Sequence, residues 1–317
     1  MALVLLTGAT GRLGRALLPS LLARGDTVRA VVRPGTQASL PAGVEKVEFD
    51  LSSGALPSSS FDGVRYVVHL AGLVDSHSYN ELIAHNANAT KELLSQCPSS
   101  VKRVVIASSI SIYGEYSGQV VDETFTPKTE SPYGKSKLMA EDFARDFCDS
   151  LPLVFLRFGM IYGPGFEEGY FEVLRYLEKG KMQIIGSGEN RIPLLHSSDA
   201  VNAILLSLES NAPHCREYNI VGAEQFTQKQ LLSLAAGALG VPAPEKHIHP
   251  AMLSMALAMQ GLSGKKSLDP ENIRQLTLDR AYSYERAKKE LKYQPKVALA
   301  EGVREMVRIY KEKKPLD

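Results

Sequence analysis

A tyrosine and a lysine four residues apart on a predicted helix are the side chains in this sequence best suited to proton chemistry. At that spacing they share one helix face, where the ammonium charge can lower the pKa of the phenol and make it a proton donor and acceptor. The sequence contains this spacing three times, at Tyr133/Lys137, Tyr284/Lys288 and Tyr310/Lys314. The spacing alone therefore does not select a site.

The surrounding sequence favours the pair Tyr133/Lys137. It follows a β-rich run, residues 104–109, that ends in the hydroxyls of Ser108 and Ser109. If this run is a strand of a parallel sheet, it delivers both hydroxyls to the carboxyl edge, where ligands bind in such sheets. The other two pairs lie in charge-rich C-terminal helix patterns, and we predict that they are surface pairs.

A glycine-rich turn, Thr7-Gly8-Ala9-Thr10-Gly11-Arg12-Leu13-Gly14, joins an apolar run to an amphipathic helix pattern. Glycines at these places allow a tight turn, a close approach of backbone to a pyrophosphate, and close packing of helix on strand. The open amides of the helix N-terminus favour an anion. The turn predicts a dinucleotide site with cofactor contacts at Gly8, Gly11, Arg12, Leu13 and Gly14; the alternative is a purely structural turn.

The choice of dinucleotide depends on the residue about 20 positions after the turn, because an acid there binds the ribose hydroxyl of NAD and an arginine accommodates the phosphate of NADP. This place holds Arg33, and the strand before it has no acid at its carboxyl end. A guanidinium can bind a phosphate through paired hydrogen bonds. We therefore predict NADP, with Arg12 assisting. The alternative is NAD, with Arg33 solvated and Asp50 or a backbone group at the adenosine.

These residues need a sheet to bring them together, and the sequence predicts one. Short β-rich runs alternate with helix-like segments, which implies an α/β, Rossmann-type, doubly wound parallel sheet. The predicted strands are 3–7, 27–32, 46–49, 66–70, 104–107 and 153–156. Beyond Pro164 the pattern changes to loops and charged helices. We expect a dinucleotide-binding domain at 1–164, with 196–222 returning to it, and a smaller C-terminal substrate-binding domain at 165–317.

In its motifs the sequence resembles the extended short-chain dehydrogenase/reductase family, which includes NAD-dependent epimerases and dehydratases, and the resemblance runs nearly end to end. Besides the glycine turn, the motifs are His69-Leu70-Ala71-Gly72, Ser108-Ser109-Ile110-Ser111-Ile112-Tyr113-Gly114, Ser131-Pro132-Tyr133-Gly134-Lys135-Ser136-Lys137, and residues 157–164. The resemblance implies an enzyme with Tyr133 as general acid/base, Lys137 as its electrostatic support, and Ser109 as hydrogen-bond donor to a carbonyl.

The resemblance also implies roles for residues outside this catalytic set. It places Asp50 and Leu51 beside the adenine and Asn86 behind the active-site helix. Along the cofactor it places Leu70, Ala71, Gly72 and Ser108, together with the catalytic Tyr133 and Lys137, with the lysine at the nicotinamide ribose. Simple packing is the alternative for each. Family members often form homodimers through a helix bundle that includes the tyrosine-bearing helix, so a homodimer is expected.

The substrate is predicted less directly, and the resemblance places Ser109, Ser111, Tyr133, Met160 and Arg191 around it. Relatives acting on nucleotide-sugars usually carry an asparagine where this chain has Met160, and their phosphate-binding arginine lies one residue closer to the His-x-x-Asp motif than Arg191 does. Both differences favour NADP(H)-dependent hydride transfer to a ketone or from a secondary alcohol. The alternatives are a nucleotide-sugar 4-epimerase or dehydratase with tightly bound NAD, and a non-catalytic cofactor sensor.

Charge and composition limit the partners. The chain has 36 basic and 35 acidic residues and a formal net charge of +1, which gives no general attraction to nucleic acid or an anionic membrane. A small-molecule substrate is expected instead. The apolar residues 1–6 predict a buried strand. The apolar stretch 251–259 is too short to span a membrane.

The remaining polar residues suggest neither a metal site nor disulfide chemistry. His247 and His249 could share one strand face, but no third ligand is near in sequence, so we expect no metal. The cysteines Cys97, Cys148 and Cys215 form no CxxC pair. We expect three unpaired thiols in a cytoplasmic, reducing environment.

Overall fold

A parallel β-sheet forms the centre of the molecule in the computed structural model, which describes residues 1–37, 39–74, 76, 78–116, 118–253 and 277–313. The strands are β1 (Leu3–Thr7), β2 (Thr27–Val32), β3 (Val44–Glu48), β4 (Val64–His69), β5 (Arg103–Ser109), β6 (Val120–Val121), β7 (Leu153–Phe158), β8 (Met160–Tyr162), β9 (Ile184–Ile185), β10 (Arg191–Ile192), β11 (Leu194–His196), β12 (Arg216–Ile220), β13 (Phe226–Thr227), β14 (His247–Ile248) and β15 (Ala281–Tyr282). Seven of them build the central sheet, in the order β12-β7-β5-β4-β1-β2-β3.

The strand order reverses between β1 and β4. The chain builds β1, β2 and β3 toward one edge of the sheet and then β4, β5, β7 and β12 toward the other, with every pair parallel. At such a reversal the loops after the two central strands diverge and leave a crevice for a ligand. The predicted doubly wound parallel sheet is confirmed, and its crevice lies between the ends of β1 and β4.

Helices cover both faces of the sheet and build a second layer beyond it. They are α1 (Arg12–Ala23), α2 (Tyr79–Leu82), α3 (Ala89–Ser95), α4 (Pro132–Arg145), α5 (Tyr170–Glu178), α6 (Ser197–Glu209), α7 (Gln228–Leu239), α8 (Glu285–Leu291) and α9 (Leu299–Lys313). A π-helical turn (Ile83–Asn88) joins α2 to α3, and 3₁₀ turns occur at Leu51–Ser53, Ser58–Phe61 and Ile110–Tyr113. Among the described residues, no helix combines the length and apolar character needed to span a membrane.

Three apolar cores hold these layers together. One packs α1 and α6 on the sheet, and a second packs α3 and the end of α4 on the opposite face. The third lies outside the sheet, where α5, α7 and α9 bury their apolar faces on one another. This third core contains residues of the predicted substrate-binding domain. The exact domain boundaries stay a prediction.

The predicted strands differ from the observed ones mainly at their ends. β1 and β2 agree to the residue, whereas β5 extends from Arg103 to Ser109 and so includes both hydroxyl residues. Helix α1 continues through Pro19, although proline removes one amide donor from the helix. The hydrophobic face of Leu17, Leu18 and Leu21, buried on the sheet, compensates for that loss.

Two expectations from the sequence are wrong. Cys148 and Cys215 form a disulfide with a Cα–Cα distance of 5.4 Å, so of the three cysteines only Cys97 is a free thiol. Tyr310, predicted to be a surface residue, is buried among α5 and α9 residues and donates a hydrogen bond to Glu178 at 3.0 Å. Its partner in the spacing, Lys314, lies outside the described residues, as do residues 254–259 of the apolar stretch.

Candidate active site

The glycine turn fits closely against the loop after β4. Gly8 has a φ of 71°, and a Cβ on it would lie 2.6 Å from the backbone nitrogen of Ala71. A Cβ on Gly14 would overlap the carbonyl oxygen of Gly8 and lie 2.8 Å from Ala9 Cα. A side chain at Gly8 would therefore force the glycine turn away from the loop after β4, and one at Gly14 would force α1 away from the glycine turn. The close approach of backbone segments requires glycine at both positions.

Helix α1 opens toward this crevice with its first amides available. It begins at Arg12, and its N-cap residue, Gly11, has no side chain that could accept their hydrogen bonds. Unpaired amides at a helix N-terminus are a ready site for a phosphate group. The Arg12 side chain turns toward the loop after Pro164, with its guanidinium 5.5 Å from the centre of the Phe166 ring and 3.8 Å from Glu168.

Arg33 and Asp50 lie together at the carboxyl ends of β2 and β3. Arg33 directly follows β2 and is exposed, while Asp50 caps the 3₁₀ turn at Leu51–Ser53. Hydrogen bonds from Ser52 lower the pKa of Asp50, and the charges of His85 and Arg33 add smaller contributions. The arrangement leaves the Arg33 guanidinium near the place where the adenosine half of a dinucleotide would end.

Helix α4 carries Tyr133 and Lys137 from a well-defined start. Ser131 caps the helix by accepting a hydrogen bond from Gly134 N at 3.0 Å, and Pro132 occupies the first turn. A Cβ on Gly134 would lie 2.7 Å from the carbonyl oxygen of Ser111. The first turn of α4 is therefore packed directly on the 3₁₀ turn that follows Ser109. This contact brings Tyr133, which is half-buried, beside the end of β5.

Lys137 lies one turn deeper and is 7% exposed. A Cβ on Gly72 would be 3.8 Å from its Nζ, so the lysine reaches the loop after β4 on the cofactor side of the crevice. Burial lowers the pKa of Lys137 to about 8, and the carboxylate of Glu141 opposes this shift. With this pKa, the buried side chain is mostly a charged ammonium at neutral pH.

Ser109 and Ser111 supply the hydroxyls of the site. Ser109 Oγ accepts a hydrogen bond from Ser111 N at 3.2 Å. The Ser111 hydroxyl is buried and has no hydrogen-bond partner among the described residues. Since an unpaired buried hydroxyl is costly, it is a natural contact for a polar group of a ligand.

Hydrogen bonds of Asn86 and His69 fix the segments that surround Lys137. Asn86, in the π-helical turn, donates to Ser136 Oγ at 2.8 Å and accepts from Leu73 N at 2.7 Å, and thereby ties α4 to the loop after β4. His69 is hydrogen-bonded to Thr7 at 2.7 Å. Burial lowers the pKa of His69 to about 3, and the charge of Lys137 adds to the shift. The histidine is therefore neutral.

Three predicted contacts have arrangements that the sequence did not suggest. Ser108 directs its hydroxyl to Glu141 at 2.5 Å, away from the crevice, which leaves only its backbone to face a cofactor. Arg191 forms a bidentate ion pair with Asp279, at 2.8 and 2.7 Å, so its guanidinium is already engaged by a carboxylate. Met160 is 39% exposed, and Arg280 Nη2 lies 3.5 Å from its Sδ.

Sequence reasoning missed Arg280 and the buried ion pair of Glu141 with Arg157. Arg280 is separated from Met160 by 120 residues, so no local signal could join them. Glu141 follows Lys137 by four positions, which places the two on one helix face and could have been noticed. Within the described part of the chain, no group of three His, Cys, Asp or Glu side chains could hold a metal ion.

Comparison with known proteins identifies the family and supports the fold. The model of the NAD dependent epimerase/dehydratase family matches residues 4–221. A 2-alkyl-3-oxoalkanoate reductase of Stenotrophomonas maltophilia (strain K279a) is 26% identical and covers 96% of this chain and 98% of its own.

Two solved structures share the fold over nearly their whole length. The UDP-glucuronic acid 4-epimerase of Bacillus cereus, in complex with NAD, superposes with a TM-score of 0.79 at 21% identity and covers 98% of this chain and 99% of its own. MoeE5, in complex with UDP-glucuronic acid and NAD, gives a TM-score of 0.78 at 26% identity with the same coverage. The chain belongs to the NAD dependent epimerase/dehydratase family.

Proposed function

We propose that this protein is an NADP(H)-dependent oxidoreductase that reversibly interconverts a ketone and a secondary alcohol. The observation that carries the proposal is the buried Lys137 ammonium on the same helix as Tyr133. That helix is packed against the serine turn after β5 and faces the crevice between β1 and β4.

The cofactor site fits a dinucleotide in two respects. The glycine turn has no room for a side chain, and the first amides of α1 are available to a pyrophosphate. Gly8, Gly11, Leu13 and Gly14 would hold the pyrophosphate through the backbone. Leu70, Ala71 and Gly72 would line the other side of the crevice, and Asp50 and Leu51 would flank the adenine. When bound, the reduced cofactor supplies the hydride.

Side chains of this protein transfer the proton and stabilise the charges that develop during the reaction. Tyr133 donates its phenolic proton to the carbonyl oxygen during reduction and accepts it back during oxidation. The ammonium of Lys137 stabilises the phenolate that Tyr133 becomes, and it would also hold the ribose of the cofactor. Ser109 donates a hydrogen bond to the same oxygen, and so supports the charge that develops there. Ser111 offers a further hydroxyl to the substrate.

NADP is proposed as the cofactor because of Arg33. The Arg33 side chain is exposed at the end of β2, beside Asp50, and its guanidinium can donate paired hydrogen bonds to a 2′-phosphate. Titration of the purified protein with NADPH and NADH tests this choice. Tighter binding of NADPH supports it, and tighter binding of NADH contradicts it.

A net reductase is supported by one comparison and by one contact at the substrate side. The 2-alkyl-3-oxoalkanoate reductase of Stenotrophomonas maltophilia matches this chain over nearly its full length. Arg191 is engaged by Asp279, so binding a substrate diphosphate there would require this pair to break. A screen of ketones and secondary alcohols for cofactor turnover is the direct experiment.

A nucleotide-sugar 4-epimerase or dehydratase with tightly bound NAD is the second candidate. It is favoured by the solved relatives that hold NAD together with a nucleotide-sugar. In that case Tyr133 would first remove and later return the proton of one sugar hydroxyl. Two findings would favour this candidate over the reductase: NAD that stays bound through purification, and conversion of a nucleotide-sugar without net consumption of added NADPH.

We also propose that the protein is a homodimer that uses the outer face of α4. Met139 and Phe143 are half-buried on this face, with Lys91 of α3 stacked 5.3 Å from the centre of the Phe143 ring. Sedimentation equilibrium tests this proposal, and a monomer at micromolar concentration would contradict it.

A further inference from the structure

Glu141 is a buried carboxylate in the active-site helix that the reaction itself does not need. It lies one helical turn beyond Lys137 and is 1% exposed. Arg157 of β7 binds it through two hydrogen bonds, Nε to Oε1 at 3.0 Å and Nη2 to Oε2 at 2.6 Å. Ser108 Oγ donates to Oε1 at 2.5 Å, and Arg145 Nη2 lies 3.5 Å from Oε2. The carboxylate is held in one position.

A buried ion pair of this kind is not in itself evidence of a gain in stability. Removing a carboxylate from water is costly, and replacing a buried ion pair with well-packed apolar side chains often leaves a protein equally or more stable. The pair with Arg157 also joins α4 to the strand beside β5, where Ser109 lies. The position of the charge, rather than its contribution to folding, is the feature to explain.

Among the described charged and titratable groups around Lys137, Glu141 supplies the negative charge. On α4 the lysine shares a face with Tyr133 and Glu141. Its charge acts on His69 of β4, which is neutral, and its Nζ and the amide oxygen of Asn86 both approach Gly72.

Other charges on the elements packed against α4 act elsewhere. Lys91 of α3 lies over the Phe143 ring, Tyr79 of α2 acts on Lys135, and His85 of the π-helical turn acts on Asp50. Arg157 of β7 approaches from the far side of Glu141. Burial alone would thus favour a neutral lysine, and the Glu141 carboxylate is the group that opposes it.

We propose that Glu141 is a positioning residue of the active site: clamped by Arg157 and Ser108, its carboxylate keeps the buried Lys137 in the ammonium form that acts on Tyr133. The effect on Lys137 is independent of the reaction, whereas its consequence for catalysis rests on the proposed function. No proton or electron is transferred by Glu141.

Loss of the Glu141 carboxylate should make activity fall at a lower pH than in the wild type. The active form needs a protonated Lys137, so activity is lost as pH rises through the pKa of that lysine, about 8. In Glu141→Gln the pKa of Lys137 should fall by about one unit or more, because two opposite charges one helical turn apart no longer attract. A fall of one unit reduces the protonated fraction at about pH 8 from roughly a half to roughly a tenth, and changes it little at about pH 6.

The first experiment measures the pKa of Lys137, and the second measures turnover. Protein labelled with ¹³C at the lysine ε-carbons is titrated by NMR in wild type and Glu141→Gln, and Lys137→Met identifies the resonance. The matched control is Glu123→Gln. Glu123 is also buried, accepts a hydrogen bond from Asn219 N at 2.7 Å, and belongs to the same hydrogen-bond network through Tyr113, but it lies on another segment.

The expected result is a lower pKa of Lys137 in Glu141→Gln and an unchanged one in Glu123→Gln. With a substrate in hand, the alkaline limb of the turnover profile should move to lower pH in Glu141→Gln alone, with a roughly fivefold loss at about pH 8 and near wild-type turnover at about pH 6. An unchanged pKa of Lys137 in Glu141→Gln, or an equal fall in both variants, would overturn the proposal.

A second variant covers the case in which unpaired Arg157 prevents folding. Glu141→Gln/Arg157→Gln removes both charges of the pair, and the pKa of Lys137 should again lie below the wild-type value. An unchanged pKa in the double variant refutes the inference. A lowered pKa in a protein that turns over no ketone would contradict the proposed function and leave the role of Glu141 intact.

Discussion

Replacing Arg33 with alanine should separate the two cofactors. The side chain is exposed at the end of β2 and caps no helix, so its removal should leave folding unchanged within about 0.5 kcal/mol. A hydrogen bond to a charged group contributes about 1.5–3 kcal/mol, and exposure to solvent and salt places this one near the lower value. Since 1.4 kcal/mol corresponds to a factor of ten, NADPH binding should weaken by about 10-fold to 30-fold.

The binding of NADH provides the internal reference. It lacks the 2′-phosphate, so its affinity for Arg33→Ala should stay within about twofold of the wild-type value. Cofactor fluorescence titrations at low and high salt give both constants, and the preference for NADPH should shrink as salt rises. Arg175→Ala is the matched control, because this arginine is also exposed but lies on α5 and is not among the predicted cofactor contacts. An equal loss for both cofactors in Arg33→Ala, or no loss for NADPH, would refute the assignment of the phosphate to Arg33.

Two further predictions concern the glycine turn and a buried histidine. Gly14→Ala should abolish measurable binding of either dinucleotide, because its Cβ would meet the backbone of Gly8. The control Gly237→Ala in α7, where no atom lies within 4 Å of the new Cβ, should bind both dinucleotides normally. Isothermal titration compares the two variants, and intact binding by Gly14→Ala would contradict the close-packed turn. His69 has its pKa lowered from 6.5 to about 3, so its contribution to stability is fully present above pH 6.5 and is lost as pH falls toward 3. His69→Gln should therefore show a shallower decline of melting temperature than wild type over this range, and an equal slope would show that His69 is not the group responsible.

Local signals predicted the first strand, the glycine turn and the start of the first helix well. The apolar run of β1, the glycine turn and the start of α1 are contiguous in sequence. Their residue types follow from local requirements, apolar side chains for a buried strand and glycines for a tight turn. β12 was expected only as part of a returning segment, because its sequence mixes Arg216 and Glu217 with apolar residues, as suits a strand at the sheet edge. Its partner, β7, is buried along its whole length and was predicted directly.

The interior of the site was harder to predict because its contacts join distant segments. Ser108 Oγ donates to Glu141, whereas Ser109 Oγ accepts from Ser111 N, and the motif alone did not distinguish the two hydroxyls. Arg191 and Asp279 are 88 residues apart, and nothing in the local pattern around either one indicates the ion pair. The disulfide between Cys148 and Cys215 likewise spans 67 residues and depends on how α4 ends beside β12.

The most direct test of the central claim is the rate of carbonyl reduction by Tyr133→Phe, once a ketone substrate has been found. NADPH absorbance should report a loss of about 10²-fold to 10⁴-fold, the range typical of a positioned general acid. The affinity for NADPH should be unchanged, since the ring remains and only the hydroxyl is lost. Turnover by Tyr133→Phe within a few-fold of the wild-type rate would contradict the assignment of Tyr133 as the proton donor.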